Sequence, residues 1–330
     1  MISIVIANYN KAPFITQTIK SVINQSCADW EVIFVDDGST DNSLQISSEL
    51  ASQDRRICIE HTKKEKRGAN AARNIGWKAS KFDYILFLDS DDVLAPHCIE
   101  NRLNHIQRNK LDFNVFTGGT FLYKVGDKKD VWRPKNSKYH LESFLRHDLP
   151  WNLTSVLWSK DSLHKINGFD EDLPRLQDVD LHTRALLFGL KYFVIEDECP
   201  DFFYRISLEK NNFNAYDLGK KYVTGTTIFQ QSVYRLIQSS NYEENLKRRY
   251  IRCLRGTTLS IMYRFAIEAS KGFMNDTHKY ELQEALQNSF ISSLIFDGSS
   301  KTLLETYKFI LNAGFWKIRG FTKLTKFLIC

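Results

Sequence analysis

Carboxylates gather at three places in this chain, and the residues around each cluster suggest its chemistry. Asp89-Ser90-Asp91-Asp92 closes the apolar run Tyr84-Ile85-Leu86-Phe87-Leu88. Alternate side chains of an extended segment share a face, and at a strand-ending turn two carboxylates can converge on one cation. Oxygen ligands select a hard divalent ion, Mg²⁺ or Mn²⁺, and such an ion stabilises charge building on diphosphate oxygens. Asp36-Asp37-Gly38-Ser39 likewise ends the run from Glu31 to Val35. It reads either as a turn with a helix cap or as a carboxylate that accepts an N–H from a nucleobase. The DSDD stretch has a similar plain alternative, an acidic loop in which Asp92 caps a following helix. The third cluster lies in NGFDEDLPRLQDVD, residues 167–180, where a turn-rich approach leads into a helix.

Strands must deliver the first two clusters. Residues 2–7 are a short β-branched run, after which Ile15, Ile19, Val22 and Ile23 recur at helical spacing. The pattern repeats through a strand over 31–35, a helix capped by Asp41 to about residue 52, and a strand near 57–60. A stretch rich in Ala and Asn follows over 68–79, with Arg73 at its middle, before the strand that ends at Asp89. Such alternation predicts an α/β fold with a Rossmann-like, mostly parallel sheet flanked by helices, whose ligands bind beyond the carboxyl ends of the strands. Further on, the pattern predicts a helix to about 109, a strand around 113–116, a loop or hairpin over 124–138 and a strand over 151–158. The apolar face of the next helix takes in Leu181, Ala185, Leu186 and Phe188. From about 216 long amphipathic helical patterns take over, so the expected division is a first domain over 1–210 and a helical C-terminal region over 211–330.

Composition excludes several classes. At 330 residues, 43% hydrophobic and 25% charged, the chain can bury a full α/β core and is neither disordered nor fibrous in make-up. The net charge of +6 suits phosphorylated ligands or anionic membranes without choosing between them. Cysteines at 27, 58, 98, 199, 253 and 330 form no CxxC pair, which points to a reducing cytoplasm. The opening MISIVIANYN reads as a strand rather than a signal peptide, and no segment reaches the roughly 18 apolar residues of a membrane-spanning helix. No GxGxxG follows the first strand, which sets aside a dinucleotide-dependent oxidoreductase, and no nucleic-acid-binding motif accompanies the dispersed basic residues. In residues 306–330, Lys308, Lys317, Arg319, Lys323 and Lys326 interleave with Phe309, Phe315, Trp316, Phe321 and Phe327, with no acidic residue. Two readings stay open there: an interfacial helix on the anionic inner face of the cytoplasmic membrane, and a helix packed on its own domain.

The segments SIVIANYN, EVIFVDDGSTDNS, RGANAARNIGWKAS and YILFLDSDD stand in an order and spacing that resembles the family 2 glycosyltransferases of the nucleotide-diphospho-sugar-transferase, or GT-A, fold. The resemblance covers about residues 1–210. It implies that Ala7 and Tyr9 line the nucleobase, that Asp37 hydrogen-bonds it, and that Arg73 lies beside the donor. Asp89 and Asp91, with Ser90 between them, would hold ribose and metal, and Asp178 in Gln177-Asp178-Val179-Asp180 would be the general base. The implied reaction is an inverting, Mn²⁺- or Mg²⁺-dependent transfer of a hexose or N-acetylhexosamine from a UDP-sugar to a hydroxyl of a glycan or lipid-linked glycan. The alternative is a non-catalytic partner subunit that binds a nucleotide-sugar or glycan, because fold alone does not establish turnover. Two positions depart from the family: Gln177 stands where Glu is usual, and Ser207 where a His often follows a Tyr-Arg pair. His182, Trp151 and Asn152 read as structural residues in preference to acceptor contacts.

Overall fold

Apolar runs too continuous for a half-exposed sheet suit strands covered on both faces, and six of seven residues of the first strand are buried. The computed structural model describes residues 1–65, 67–108, 111–196, 199–206, 214–292 and 309. Strand and helix alternate through β1 (Ile2–Asn8), α1 (Ala12–Ile23), β2 (Trp30–Asp36), α2 (Ser43–Gln53), β3 (Ile57–His61), α3 (Ala69–Ala79) and β4 (Tyr84–Asp89). There follow β5 (Val93–Leu94), α4 (Cys98–Arg108), β6 (Phe113–Val115), β7 (Gly118–Phe121), β8 (Val131–Trp132) and α5 (His140–Leu145). After these come β9 (Val156–Ser159), α6 (Lys160–Lys165), α7 (Gln177–Leu187), β10 (Tyr192–Val194) and β11 (Phe202–Arg205). Three long helices, α8 (Ala215–Ser239), α9 (Glu244–Ser270) and α10 (Asp276–Ser292), complete the described elements.

The main sheet has seven strands in the order β10-β6-β9-β4-β1-β2-β3, with β9 antiparallel to both neighbours and the other pairs parallel. A second sheet runs β5-β11-β7-β8. This is the mixed, mostly parallel sheet flanked by helices that the alternation predicts. Some boundaries differ from the sequence reading. The strand expected over 151–158 is confined to Val156–Ser159, because Asn152 Oδ1 accepts from the Ser155 N–H and hydroxyl and closes a turn in front of it. Asp41 does not cap α2; Asn42 holds that position, while the Asp41 carboxylate accepts from the Ala12 and Ser43 N–H groups. Phe188 lies beyond the end of α7 and is 53% exposed, so it is no part of that helix's apolar face.

The chain divides into two compact units, one made of 1–137, 150–171 and 188–208, the other of 138–149, 172–187 and 209–330. Both sheets belong to the first. Helices α5, α7, α8, α9 and α10 belong to the second, where the Thr257 hydroxyl donates to Leu145 O and Gln230 Nε2 donates to Leu254 O and the Thr258 hydroxyl.

In the first unit α3 lies so close on β1 that only glycine fits at residue 76: a Cβ there would stand 2.3 Å from Val5 Cγ1 and 3.3 Å from Val35 Cγ2. Both valines are buried in the sheet and have little room to move. Gly76→Ala is therefore expected to destabilise the protein by about 1–3 kcal/mol despite alanine's better helix propensity, seen as a lower denaturant midpoint at unchanged slope.

Candidate functional site

Three adjacent parallel strands end together, and their last residues build one polar rim. Register pairs Ala7 of β1 with Asp89 of β4, and Asn8 of β1 with Asp36 of β2. Asp36 organises the turn after β2: its carboxylate accepts from the Gly38 and Ser39 N–H groups, the Ser39 hydroxyl and Asn8 Nδ2. Gly38 takes a φ of +79°, open to glycine at little cost. Asn10, at a φ of 52°, accepts from the Thr40 and Asp41 N–H groups through Oδ1 and ties the β1–α1 loop to the β2–α2 loop. Tyr9 projects from this rim with 55% of its surface exposed, a free aromatic face beside a polar turn.

Asp37 is nearly buried and already engaged. Both its oxygens accept from the Gly68 N–H that opens α3, and Oδ1 accepts from the Thr62 hydroxyl at 2.8 Å. A carboxylate has about four lone-pair sites, so Oδ2 retains acceptor capacity for a ligand N–H.

Beyond Asp89 the chain turns sharply. Asp89 accepts from Arg73 Nη2 at 2.8 Å, and Asp91 from Lys11 Nζ at 2.5 Å. Arg73 rises from α3, whose Asn70 and Asn74 amides donate to Asp170 O, Phe169 O and Glu171 Oε1. That places the Arg73 side chain, 12% exposed, with its guanidinium against Asp89 rather than out in solvent as on an ordinary surface helix. Ser90 is buried, and its carbonyl accepts from the Thr18 hydroxyl of α1. Asp92 caps no helix. It is buried, its Oδ1 accepts from the Arg205 N–H, and burial together with the charges of Asp89 and Asp91 holds its carboxyl well above the usual range.

Lys11 and Arg205 are the residues that reading the sequence did not single out. Arg205 Nε donates to Asp91 O at 2.8 Å and Nη2 to Gln17 Oε1 at 2.5 Å, while its guanidinium carbon stands 4.3 Å from the Phe121 ring centroid. For Lys11 a signal existed, a cation directly after the polar end of β1; Arg205 is brought in from a strand 114 residues away in sequence.

The Asp89–Asp91 pair thus attracts cations. Among the described residues no group of three or more His, Cys, Asp or Glu side chains could hold a metal on protein ligands alone. A hard divalent ion is nevertheless compatible with this donor set, because Mg²⁺ commonly binds through one or two carboxylates and completes its shell with water and substrate phosphates.

In the second unit the two carboxylates of Gln177-Asp178-Val179-Asp180 fare differently. Asp180 is buried and accepts from Arg184 Nε and Nη2, both at 2.7 Å, four residues along α7. Asp178, half-buried, sits in the first turn of α7, where the helix dipole favours negative charge. His182 is fully buried with its ring 5.2 Å from that of Phe144, and burial pushes its imidazole down to about 3. It is a core residue, as is Trp151, which packs on Phe113 and Tyr192.

A buried neutral histidine leaves a mark on pH dependence. Between the ordinary histidine range and the lowered value the unfolded chain binds a proton that the folded chain does not, so stability falls as pH falls through that window. His182→Leu is expected to flatten the slope of stability against pH by up to about 1.4 kcal/mol per pH unit between about pH 6 and 4, measured by chemical denaturation at stepped pH.

The positions expected at 207 and over 306–330 lie outside the described residues, apart from Phe309, which is 69% exposed. Among the described residues no helix is long and apolar enough to cross a membrane.

Comparison with known proteins adds a lineage to this geometry. Residues 3–163 match the sequence model of the family described as glycosyl transferase family 2. An uncharacterized glycosyltransferase of Haemophilus influenzae is 40% identical over 123 residues, 37% of this chain and 48% of the relative. A putative teichuronic acid biosynthesis glycosyltransferase, TuaG of Bacillus subtilis, is 33% identical over 141 residues, 42% of this chain and 55% of the relative. The chain thus spans about half the length of these curated relatives. Among solved structures, S. aureus TarS 1-349 in complex with UDP-GlcNAc superposes with a TM-score of 0.66 at 16% identity, covering 93% of this chain and 87% of that one. At that identity the likeness is one of fold, the GT-A type that the strand pattern and motifs led us to expect.

Proposed function

We propose that the protein, whose residues 3–163 match the glycosyl transferase family 2 model, transfers a sugar from a nucleotide-sugar, a UDP-sugar, to a hydroxyl of a growing polysaccharide or related glycan. The observation that carries this reading is the rim where Asp89 and Asp91 at the end of β4 meet Arg73 and Lys11. Beside exposed Tyr9 and the Asp37 carboxylate, it offers an aromatic face and an N–H acceptor for a base, and paired cations and carboxylates for a diphosphate.

In this reading Ala7, Tyr9 and Asp37 bind the nucleobase, while Asp89 and Ser90 lie along the ribose. Arg73 and Lys11 exchange their carboxylate partners for phosphate oxygens as the donor enters. Asp91, with Asp89, would hold Mn²⁺ or Mg²⁺, which supplies positive charge to the departing diphosphate. Asp178 accepts the acceptor hydroxyl proton as that oxygen bonds to the anomeric carbon and the bond from carbon to phosphate oxygen breaks. One displacement inverts the anomeric centre. The UDP-GlcNAc complex of TarS and the teichuronic acid biosynthesis for which TuaG is named support a uridine donor and a polysaccharide product, respectively.

A thermal-shift screen against UDP-, GDP- and dTDP-sugars with and without Mn²⁺ tests the reading, because a ligand that binds only the folded state raises its stability by about 2.7 kcal/mol at a hundredfold excess over Kd. We expect stabilisation by a UDP-sugar that grows with Mn²⁺, and loss of the Mn²⁺-dependent part in Asp91→Asn. No stabilisation by any nucleotide-sugar would sink the donor site. For residues 306–330 the corresponding proposal is docking on anionic membrane; their removal should then reduce sedimentation with anionic vesicles and leave nucleotide binding intact.

A further inference from the structure

The second unit gathers cations around one tyrosine. Tyr222 of α8 is buried, and the guanidinium carbons of Arg175 and Arg264 stand 4.6 Å and 4.5 Å from its ring centroid. Arg175 Nη2 donates to the Tyr222 hydroxyl at 2.6 Å, and its Nε is buried with no hydrogen-bond partner among the described residues. Neither arginine is in an ion pair among the described residues. His147, which follows α5, adds a third group: its Nδ1 is buried and has no partner among the described residues. Burial first, then the charges of Arg264 and Arg175, push the His147 imidazole down to about 4, against the pull of Asp148.

Two guanidinium groups held against one ring repel each other, and cation–π attraction of about 0.5–2 kcal/mol per pair offsets this only in part. The backbone is also built to hold the arrangement. Leu176 takes a φ of 66°, costly for a bulky residue, directly between Arg175 and α7. Gly225, one turn along α8 from Tyr222, lets the Arg175 backbone approach so closely that a Cβ would stand 2.9 Å from Arg175 O. Strain and close approach together fix Arg175 at the entry to the helix that carries Asp178.

We propose that Arg175, Arg264, His147 and the Tyr222 hydroxyl form a seat for an oxyanion, a phosphate or carboxylate group carried by the acceptor. The seat itself is a claim about binding; the acceptor assignment rests on the glycosyl-transfer reading above. Fork-shaped guanidinium donors suit both anions, the unpartnered Arg175 Nε–H is a further donor, and His147 gains a second N–H when it takes up a proton.

The test is NMR of the full chain with ¹³Cε1-labelled histidine, titrated with inorganic phosphate, glucuronate and, as the ionic-strength control, sodium chloride. His147→Asn assigns the resonance, because asparagine tolerates the positive φ of 60° at that site. A saturable His147 shift is expected with phosphate or glucuronate and not with chloride, together with a rise in the pH at which His147 titrates. The stronger of the two anions names the acceptor group. Arg264→Gln should weaken that binding by about tenfold or more, the worth of a charge-assisted hydrogen bond, and Arg264→Lys should recover part of it. No saturable shift with either anion, or equal affinity in Arg264→Gln, would overturn the proposal; the wild-type titration alone decides if the variants do not fold. Nucleotide-sugar stabilisation is read separately by thermal shift. Anion binding without it defeats the glycosyl-transfer reading and leaves the seat, whereas the reverse defeats only the seat.

Discussion

Asp178→Asn is expected to lower kcat by about 10²–10⁴-fold while the thermal stabilisation by donor and Mn²⁺ stays at the wild-type level, because general-base assistance is worth about that much and the residues proposed to bind the donor are elsewhere. Asparagine keeps the volume and hydrogen-bonding capacity of the side chain and removes only the ability to take a proton. The neighbouring carboxylate provides the control. Asp180→Asn weakens a buried ion pair with Arg184 and should appear as lost stability, with kcat of the folded fraction far less affected. A kcat for Asp178→Asn within a few-fold of wild type would defeat the assignment of the base, whereas a matched loss of donor binding would mean that Asp178 serves the donor instead.

That contrast also shows what a sequence discloses and what it leaves to the fold. The apolar runs ending in Asp36-Asp37 and Asp89-Ser90-Asp91 were legible because a strand buried on both faces must stop where polarity begins, and parallel pairing brings such ends together. The i,i+4 spacing of Asp180 and Arg184 was legible too and could have marked Asp180 as the structural member of its motif. Lys11 and Arg205 were not, because a loop lysine carries no periodic signal and an arginine ending a short strand gains its partners only through sheet pairing with β5 and β7. The plain alternative for DSDD, with Asp92 as a helix cap, fails because the pattern has no way to announce that an antiparallel strand, β11, will bury that residue. The Tyr222 cluster was invisible for the same reason: its members come from four separated segments, and no local pattern relates 147, 175, 222 and 264.

The largest stability effect is expected at a pair that touches no ligand. Arg102 of α4 and Asp201, just before β11, are 0% and 1% exposed and joined by two hydrogen bonds, Nε to Oδ2 at 2.9 Å and Nη2 to Oδ1 at 2.8 Å. The Asp201 backbone also donates to Thr117 O and accepts from the Ala95 N–H, so this one residue ties α4, the residue before β7 and the residue after β5 at the root of β11. The guanidinium carbon sits 4.7 Å from the Phe116 centroid and 5.7 Å from that of Phe202, which leaves little room for water to solvate an orphaned charge. Asp201→Ala strands a buried guanidinium and should cost about 3–5 kcal/mol, measured by chemical denaturation, whereas the double variant Arg102→Met with Asp201→Leu should recover much of that loss because no charge is left uncompensated. The loss should extend to the rim: β11 carries Arg205, whose bonds to Asp91 O and Gln17 steady the turn after β4, so the folded Asp201→Ala protein should also show weaker stabilisation by UDP-sugar and Mn²⁺. A cost below about 1 kcal/mol would mean that water reaches Arg102 and that the root of β11 is held by its backbone bonds alone.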